Sequence, residues 1–331
     1  MRYSGIGGQA VMEGVMMKNK NRYAVAVRKP DHEIEVMTKE YKGIVPGEIW
    51  QKIPLVRGVL SFIDSLVLGM STLMYSASFF EDEDESEKEK QKDSPEKMKA
   101  KENAMMGGTV ALSVILAIAI FMILPYYLSV FCSRFIASDM IVAVLEGILR
   151  LAIFIGYIVV ISKMKEIQRV FMYHGAEHKC INCIEHGARL TPENVKNSSR
   201  YHKRCGTSFL FLVMLVSIFL HFIFVLVPVY WVRLFGRLLM VPVVAGISFE
   251  IIQWAGRSDS KIADFFSKPG LAMQKLTTKE PTADMAEVAI KAVEAVFDWR
   301  AYLKEEFGVE VEPENVSGNT VSESAAQKKA E

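Results

Sequence analysis

Side chains that ligate metals are concentrated in one short stretch of this 331-residue chain. Four of the six histidines and three of the four cysteines lie between His174 and Cys205. Imidazole nitrogens and thiolates are the ligands that zinc prefers in proteins, and other divalent transition metals accept them as well. The concentration of these residues therefore predicts a metal site, with zinc or another divalent transition metal as the cofactor.

One pattern in this stretch is H-x-x-E-H, formed by His174, Glu177 and His178. On an α-helix these three side chains share one face. Two imidazoles four residues apart can bind one divalent metal, and the neighbouring carboxylate can deprotonate a metal-bound water. The same inverted order occurs in a class of zinc peptidases. The pattern predicts His174 and His178 as metal ligands and Glu177 as the catalytic base of a hydrolase.

A second pattern pairs Cys180-x2-Cys183 with His202-x2-Cys205, after 18 intervening residues. This spacing is close to that of structural zinc sites built from paired knuckles, with one imidazole in place of a thiolate. It predicts Cys183, His202 and Cys205 as further ligands. The two patterns can describe two sites or one mixed site. The remaining alternative is a polar loop in which these side chains only cap helices and form hydrogen bonds.

Two acidic residues are candidates for the additional acidic ligand that the zinc peptidases need. Glu13 lies in a Gly-rich opening, four residues after Gln9, and the pair could instead supply polar groups behind the ligands or belong to a structural turn. Glu250 lies near the end of an apolar segment. It is a candidate ligand, general base or helix-packing partner.

Two apolar blocks, at 107–162 and 207–255, flank the His/Cys stretch. They contain four segments long enough to cross a hydrocarbon core of about 30 Å, at 108–131, 140–162, 208–232 and 234–254. The segments predict an all-α membrane protein with four transmembrane helices and the lipid bilayer as its partner. The 39 basic and 38 acidic residues nearly cancel, so the overall charge gives no reason to expect nucleic acid as a partner.

The N-terminal part of the chain has a different pattern. Residues 1–52 combine the Gly-rich opening with two short strand patterns at 23–27 and 33–37, which predict a small β-hairpin. Residues 53–80 are apolar but carry Arg57 and Asp64 on one helical face. This arrangement favours an amphipathic or re-entrant helix over a lipid-facing span.

The other boundaries follow from composition. A charged linker is predicted at 81–106, transmembrane helices 1 and 2 at 107–162, and a cytosolic His/Cys/Glu metal-site loop at 163–206. Transmembrane helices 3 and 4 follow at 207–255, a cytosolic helical region at 256–308, and a disordered tail at 309–331.

Basic residues set the expected orientation. The loop at 163–206 holds nine lysines and arginines, whereas the connections on the opposite side hold only Arg134, Arg233 and Arg237. Because basic loops stay in the cytoplasm, this loop and, with four spans, both termini are expected there. Thiols in that compartment stay reduced, which favours metal ligation or thiol chemistry over a disulfide.

Ionisable side chains also occur within the apolar segments. Glu146 and Arg150 are spaced four residues apart in the second segment, and His221 lies in the third. Charges at membrane depth cost about 2.5–3.5 kcal/mol each on insertion scales, so they are expected to pair or to face the interior of the bundle. Together with Glu250 they motivate transport as an alternative function.

Three separated motifs carry a resemblance to a known family: GGQAVMEGVMM at 7–17, YHGAEHK at 173–179 and RCGTSF at 204–209. They resemble the YqhQ-like family of bacterial membrane proteins, a domain of unknown function that is often labelled a predicted metal-dependent enzyme. The resemblance runs from about Gly5 to Lys275 and implies a bacterial, multi-pass plasma-membrane protein.

Residue by residue, the resemblance carries the motif positions onto Glu13, His174, Glu177, His178, His202 and Cys205. Cys180 is not a feature of the family that this chain resembles, and Cys183 is only a frequent one. The resemblance therefore implies a core site of His174 and His178 with His202 or Cys205, rather than a four-ligand knuckle.

The expected function is that of a membrane-embedded metal-binding protein with a cytosol-facing His/Glu/His/Cys site, and a zinc-dependent hydrolase is its enzymatic form. The alternatives are a non-enzymatic membrane scaffold or assembly factor with a structural zinc site, and a transporter. A structural site has four protein ligands, whereas a catalytic one keeps an open position.

Overall fold

The computed structural model describes residues 2–45, 50, 52–80, 95–227, 229–258 and 260–311. Residues 81–94 of the predicted linker and 312–331 of the predicted tail lie outside the described residues. The described part is mostly helical, with one small antiparallel sheet near the N-terminus.

Four antiparallel strands form the sheet in the order β1-β2-β3-β4. They are β1 (Ile6–Val11), β2 (Gly14–Asn19), β3 (Arg22–Arg28) and β4 (Ile34–Glu40). The predicted hairpin corresponds to β3 and β4, and the sheet is larger than predicted because the Gly-rich opening supplies β1 and β2 as a second hairpin. Glycine is depleted in strands, so a Gly-rich segment does not indicate a strand, and these two strands were not predicted.

The contacts around Gly8 explain why β1 has a glycine at this position. A Cβ at this position would lie 2.8 Å from the Met17 sulfur and 2.9 Å from Cγ of Glu177. A glycine inside a strand often marks a site where another element approaches closely. The absence of a side chain at Gly8 therefore lets the sheet approach the helix that carries Glu177.

The helices follow in chain order. They are α1 (Val56–Ala77), α2 (Pro95–Ile118), α3 (Leu124–Cys132), α4 (Asp139–Ile161), α5 (Lys165–Glu185), α6 (Pro192–Asn197), α7 (Gly206–His221), α8 (Tyr230–Leu239), α9 (Val241–Arg257), α10 (Lys261–Thr277), α11 (Ala283–Glu294) and α12 (Trp299–Phe307). Residues 95–106 of the predicted linker thus belong to α2. A π-turn (Ala119–Ile123) joins α2 to α3. This π-helical segment ends two residues before Pro125, whose ring would clash with the carbonyl four residues earlier in a regular α-helix.

The His/Cys stretch, predicted as the connection between transmembrane helices 2 and 3 at 163–206, is largely helical. Helix α5 contains His174, His178, Glu177 and Cys183, and each residue from Gly175 to Glu185 is buried. The helix agrees with the helical face predicted for His174, Glu177 and His178, but polar residues are mostly exposed in proteins, so its burial was not expected. In α5 they are enclosed between other elements, which supply hydrogen-bond partners.

One hydrophobic core joins distant parts of the chain around α5. Tyr173 and Ile181 of α5 pack with Met17 of the sheet and with Val288 of α11. Trp299 of α12 belongs to the same core. The N-terminal sheet, the central helix and the C-terminal helices therefore lie on the same side of the molecule.

Helix α1 connects this core to the apolar helices. Arg57 at its beginning forms an ion pair with Glu250 of α9. Gln9 of β1 donates to the carbonyl of Gly69 at 3.1 Å and to the hydroxyl of Thr72 at 3.2 Å. Glu250 is thus a helix-packing partner. Gln9 hydrogen-bonds to α1 and does not support the predicted metal ligands.

Five helical segments are long and apolar enough to cross a membrane, judged by length and composition: Val56–Ala77, Gly107–Cys132, Asp139–Ile161, Gly206–Val225 and Phe235–Arg257. Four correspond to the predicted spans. The fifth is α1, which was predicted as an amphipathic or re-entrant helix.

Gly175 of α5 provides a test of the fold around the histidines. A Cβ there would collide with the backbone carbonyl of Lys279, which packs directly against the helix. Gly175→Ala is therefore expected to lower the free energy of unfolding by about 1–3 kcal/mol, the usual cost of overpacking. Thermal unfolding in a neutral detergent measures this change.

The matched control is Gly156→Ala in α4, where a Cβ would meet no atom within 4 Å. This change is expected to be neutral or to stabilise by up to about 1 kcal/mol, because alanine favours helix. Equal melting temperatures for the two variants would contradict the close approach of α5 and the Lys279 segment.

Candidate metal centre

Three predicted ligands meet at one point. His174 and His178 come from successive turns of α5, and Cys205 is the residue that caps the N-terminus of α7. Their ligand atoms all lie within 4.8 Å of one another, and Nε2 of His174 is 3.1 Å from Sγ of Cys205. Ligands of a tetrahedral zinc ion are about 3.3–3.6 Å apart, given the usual bond lengths. This group could hold a metal ion.

Backbone carbonyls fix the orientation of both imidazoles. Nδ1 of His174 donates to the carbonyl of Thr277 at 2.9 Å, and Nδ1 of His178 donates to that of Arg200 at 2.6 Å. A carbonyl can only accept, so each Nδ1 carries a proton and each Nε2 is left to face the centre. Metal-ligating histidines almost always show this second hydrogen bond, which sets the tautomer and the ring plane.

The end of α6 and the segment after it supply a series of such carbonyls. Its backbone accepts hydrogen bonds from several polar side chains of α5, which explains how a polar helix can be buried. The bonds are Lys179 Nζ to Lys196 O (2.8 Å) and Ser198 O (2.9 Å), and Asn182 Nδ2 to Ser199 O (2.7 Å) and Tyr201 O (2.9 Å).

Cys205 is held where a thiolate is favoured. Its sulfur accepts a hydrogen bond from the backbone N–H of Thr207 at 3.4 Å, in the first turn of α7. Burial alone would raise the pKa of the Cys205 thiol, but the positive charges and hydrogen bonds of His174 and His178 lower this pKa well below the ordinary value. Both features are typical of reactive or metal-ligating cysteines.

The same interaction raises the pKa of the imidazoles. Burial lowers the pKa of His174, but the charge of Cys205, the hydrogen bond to its sulfur and the charge of Glu177 outweigh burial and bring this pKa to about 9. The pKa of His178 is also raised, with burial again opposed chiefly by Cys205. Without a metal, protons on the imidazoles compensate the thiolate.

Glu177 lies beside both imidazoles but is not one of the three grouped residues. Its Oε2 is 3.6 Å from Nε2 of His178 and 3.9 Å from Nε2 of His174, and the residue is only 3% exposed. Two imidazole lone pairs, a thiolate and a carboxylate therefore face one small space. Such a set of acceptors is stable when buried only if a cation, either protons or a metal ion, lies among them.

His202 lies behind this group. Its backbone N–H donates to Oε1 of Gln274 at 2.8 Å, and its ring centre is 5.6 Å from that of His178. Nε2 of His202 is 3.6 Å from Oε2 of Glu185, and neither atom has a hydrogen-bond partner. Burial lowers the pKa of His202, and the charges of Arg204 and His178 lower it further, which outweighs the opposing effect of Glu185. His202 thus packs beside His178 but is not one of the three grouped residues.

The structure does not bring Cys183 to the three ligands. Its Sγ donates to the carbonyl of Arg189 at 3.3 Å, on the other side of α5. Burial raises the pKa of Cys183 to about 11 and that of Cys180 well above its ordinary value. Both side chains therefore stay protonated thiols in this environment.

Glu13 is also separate from the three ligands. It forms an ion pair with Arg169 at 2.5 Å and accepts a hydrogen bond from the hydroxyl of Tyr173 at 3.3 Å. It lies in the turn between β1 and β2 with a positive φ of 48°. Glu13 therefore links that turn to the N-terminal part of α5. This corresponds to the structural turn that the sequence analysis gave as one alternative for this residue.

Sequence reasoning missed the groups that support the ligands. The carbonyls of Thr277 and Arg200 carry no signal in the sequence, because every residue has a backbone carbonyl. Gly8, which allows the sheet to approach Glu177, did leave a signal. It is a glycine with apolar neighbours two residues away on each side, as expected where another element approaches a strand.

Comparison with known proteins adds family membership but no activity. A family described as "Protein of unknown function (DUF1385)" matches residues 53–299. The chain is similar to "Uncharacterized protein YqhQ" of Bacillus subtilis (strain 168), with 35% identity over 300 residues, covering 86% of this chain and 90% of that protein. No solved structure matches the chain.

The shifted pKa of Cys205 can be measured directly. In metal-free protein, the ultraviolet absorbance difference between wild type and Cys205→Ser is expected to show a thiolate already at pH 7, because the imidazoles lower the thiol pKa. The signal should fall only on acidification. Cys183→Ser is the matched control, and it should show no thiolate at pH 7 because burial raises that pKa.

The opposite titration would contradict this account of the centre. It would be a Cys205-dependent thiolate signal that is absent at neutral pH and develops only near the unperturbed thiol pKa of about 8.5 or above.

Proposed function

We propose that this chain, which belongs to the DUF1385 family of proteins of unknown function, is a membrane protein that binds one divalent transition metal, zinc in the first place, through His174, His178 and Cys205. The observation that carries the proposal is the convergence of three ligand atoms, with Nδ1 of both histidines already held by backbone carbonyls. His202 is proposed to support the site from behind His178.

The order of the elements supports four crossings of the bilayer. Strand β1 packs against α5, and three apolar segments lie between them in the chain. Three crossings would put β1 and α5 on opposite sides, so an even number of these segments can cross. The short connection after α3 pairs Gly107–Cys132 with Asp139–Ile161 as an antiparallel hairpin. Helix α1 is then the segment that lies in the membrane surface without crossing.

The second half of the chain gives the same result. Two apolar segments, Gly206–Val225 and Phe235–Arg257, lie between α5 and α11, and α11 packs on β2 and β3. Two further crossings return the chain to the same side. The basic residues of 163–206 favour the cytosol for that side, so we assign the site and both termini to the cytosolic face of a bacterial plasma membrane.

The position of Glu177 favours a catalytic role for the site. With three protein ligands, a zinc site keeps a fourth position open, and the metal would supply Lewis acidity and an acidic water there. Glu177 is held beside both imidazoles, where its carboxylate can accept a proton from such a water. This is the chemistry of a metal-dependent hydrolase.

A structural zinc site is the second candidate, and a specific observation favours it. His178 is 1% exposed, Glu177 3% and Cys205 5%, so a substrate would need an opening to enter. In this case Glu177 would act as the fourth ligand, and the metal would fasten α5 to the start of α7. The protein would then be a membrane scaffold or assembly factor.

Metal content tests the ligand assignment. Purified wild-type protein is expected to hold one equivalent of zinc, and His174→Ala, His178→Ala and Cys205→Ala should each lose it because two ligands hold the ion poorly. His202→Ala should keep the stoichiometry with an affinity about 10–100-fold lower, the usual cost of removing a supporting group. Elemental analysis and competition with a chelator measure both quantities.

The matched controls are Cys183→Ala and His186→Ala, since both side chains bond to carbonyls of their own helix region. They should retain the metal. A wild-type protein without metal, or a loss of metal in Cys183→Ala equal to that in Cys205→Ala, would remove this ligand set.

Glu177→Gln separates the two candidate functions. In cobalt-substituted protein, an open site should change its visible spectrum with pH as the bound water ionises near pH 7. Glu177→Gln should retain the cobalt and shift this transition, while Glu166→Gln, an exposed change in the first turn of α5, should leave it unchanged. A pH-independent spectrum in wild type, with loss of cobalt in Glu177→Gln, would instead establish a closed structural site.

A further inference from the structure

Helix α10 distributes its side chains around its axis in an unusual way. The side that packs into the protein is mostly small or polar, whereas the large apolar side chains of its first half are exposed. The buried residues are Ala263, Ser267, Gly270, Met273, Gln274 and Thr277. The exposed apolar residues are Ile262 (63% exposed), Phe265 (68%) and Phe266 (48%). A helix at the surface of a soluble protein turns its apolar side to the core, so the distribution in α10 is the reverse of the usual one.

A third side of α10 carries charge. Lys261, Lys268 and Lys275 are exposed and share one arc of the helix. Asp264 lies on the same arc and forms an ion pair with Lys203 at 2.8 Å. At about 100° per residue, the centre of this arc is about 120° around the axis from the centre of the exposed apolar side. Helices that lie in a membrane surface show this division, with the apolar side toward the acyl chains and lysines on the polar side.

The contacts of α10 with α7 give its direction. A Cβ at Gly270 would lie 2.7 Å from Cβ of Ser208, and the hydroxyl of Thr277 is 3.2 Å from that of Thr207. Gly270 and Thr277 are about 10 Å apart along α10, yet they contact neighbouring residues of α7. Two helices lying side by side would advance together over this distance. Helix α10 therefore crosses α7 at a large angle where this proposed span begins, and it lies along the membrane surface.

The exposed apolar side of α10 continues onto a proposed spanning segment. Phe266 packs against Trp254 of α9, with ring centres 6.3 Å apart, and against Phe265 at 5.7 Å. Trp254 is itself 46% exposed and lies one turn before the end of the apolar segment Phe235–Arg257. Aromatic side chains are enriched where spanning helices meet the membrane–water interface. We refer to Trp254, Ile262, Phe265 and Phe266 as the aromatic patch.

We propose that α10 is an interfacial helix whose aromatic patch inserts into the cytosolic leaflet, while its lysines stay at the level of the lipid headgroups. The partner of this surface is therefore lipid, because the patch is continuous with a segment that the bilayer already surrounds. Moving these large apolar side chains out of water is favourable. The proposal rests on the membrane topology proposed above, but it does not require a bound metal.

The same helix holds residues at the metal centre. The carbonyl of Thr277 accepts a hydrogen bond from Nδ1 of His174 at 2.9 Å. Gln274 accepts from the backbone N–H of His202 at 2.8 Å and donates to the carbonyl of His202 at 2.7 Å. Insertion of the aromatic patch therefore places the metal centre at the membrane surface.

Nitroxide labels on single cysteines measure the depth of α10. The test uses full-length protein carrying Cys132→Ser, in nanodiscs of phosphatidylcholine and phosphatidylglycerol, with Ile262→Cys or Phe265→Cys added. The other three cysteines are buried, and the protein without an added cysteine measures background labelling. Collisions of the label with oxygen, which concentrates among acyl chains, are compared with collisions with a water-soluble nickel chelate.

The labels of Ile262→Cys and Phe265→Cys are expected to favour oxygen over the chelate and to lie about 5–10 Å into the boundary between headgroups and acyl chains. Lys275→Cys is the matched control. It is an exposed position of the same helix, about 140° around the axis from Ile262, and its label should favour the chelate.

Ile148→Cys separates this proposal from the membrane topology on which it rests. Ile148 is 60% exposed near the middle of Asp139–Ile161, so its label should be the deepest. A deep label there, with labels of Ile262→Cys and Phe265→Cys that favour the chelate, would overturn the proposal and leave the topology intact. A label of Ile148→Cys that favours the chelate would contradict the topology itself.

A second copy of the chain is the other occupant that the test can detect. If the aromatic patch were a contact between two copies, the label of Phe265→Cys would be shielded from oxygen and from the chelate. Its spectrum would also be broadened by the label of the neighbouring copy. This result would overturn the assignment of the patch to lipid.

Discussion

The contact between a thiolate and two imidazoles is the interaction on which the arrangement of this protein depends. Cys205 begins the apolar helix α7, and His174 and His178 belong to the polar, buried helix α5. The contact therefore joins the part built on the β-sheet to the part built from apolar helices. Buried acceptors of this kind repel one another, so a cation among them is a condition for the packing of both parts.

The surroundings of α5 follow from the need to satisfy its polar groups. A helix that buries lysine, asparagine and histidine side chains must find partners for each of them, and the end of α6 with the chain after it provides backbone carbonyls. At Gly8 the sheet packs closely against Glu177 of α5. The carbonyl of Thr277, at the end of α10, accepts a hydrogen bond from His174. The orientation of both imidazoles is thus set by backbone carbonyls from two separate segments, at Arg200 and Thr277.

The grouping of His174 and His178 was predictable because helical periodicity and residue chemistry are local properties. H-x-x-E-H placed His174, Glu177 and His178 on one face, and the resemblance pointed to His202 or Cys205 as the third partner. The structure brings Cys205 to the two histidines and Cys183 to Arg189. On one helix Cys183 lies about 140° around the axis from His178, so periodicity places it away from the histidine face, whereas the approach of Cys205 depends on how α7 packs beside α5.

The fold, like the site, was predicted only in part. The four strongest apolar segments and the hairpin of β3 and β4 follow from hydropathy and alternation, which are properties of neighbouring residues. Strands β1 and β2 were missed because their glycines are explained only by the close approach of α5. The role of Glu250 depended on a contact with Arg57, almost two hundred residues away, that no local pattern reveals.

X-ray absorption at the zinc edge of metal-loaded, detergent-solubilised protein is the most direct test of the central claim. The account predicts one sulfur ligand at about 2.3 Å, two imidazole nitrogens at about 2.0–2.1 Å and one oxygen, with the sulfur lost in Cys205→Ala. Two or more sulfur ligands, or a coordination shell unchanged in Cys205→Ala, would contradict it.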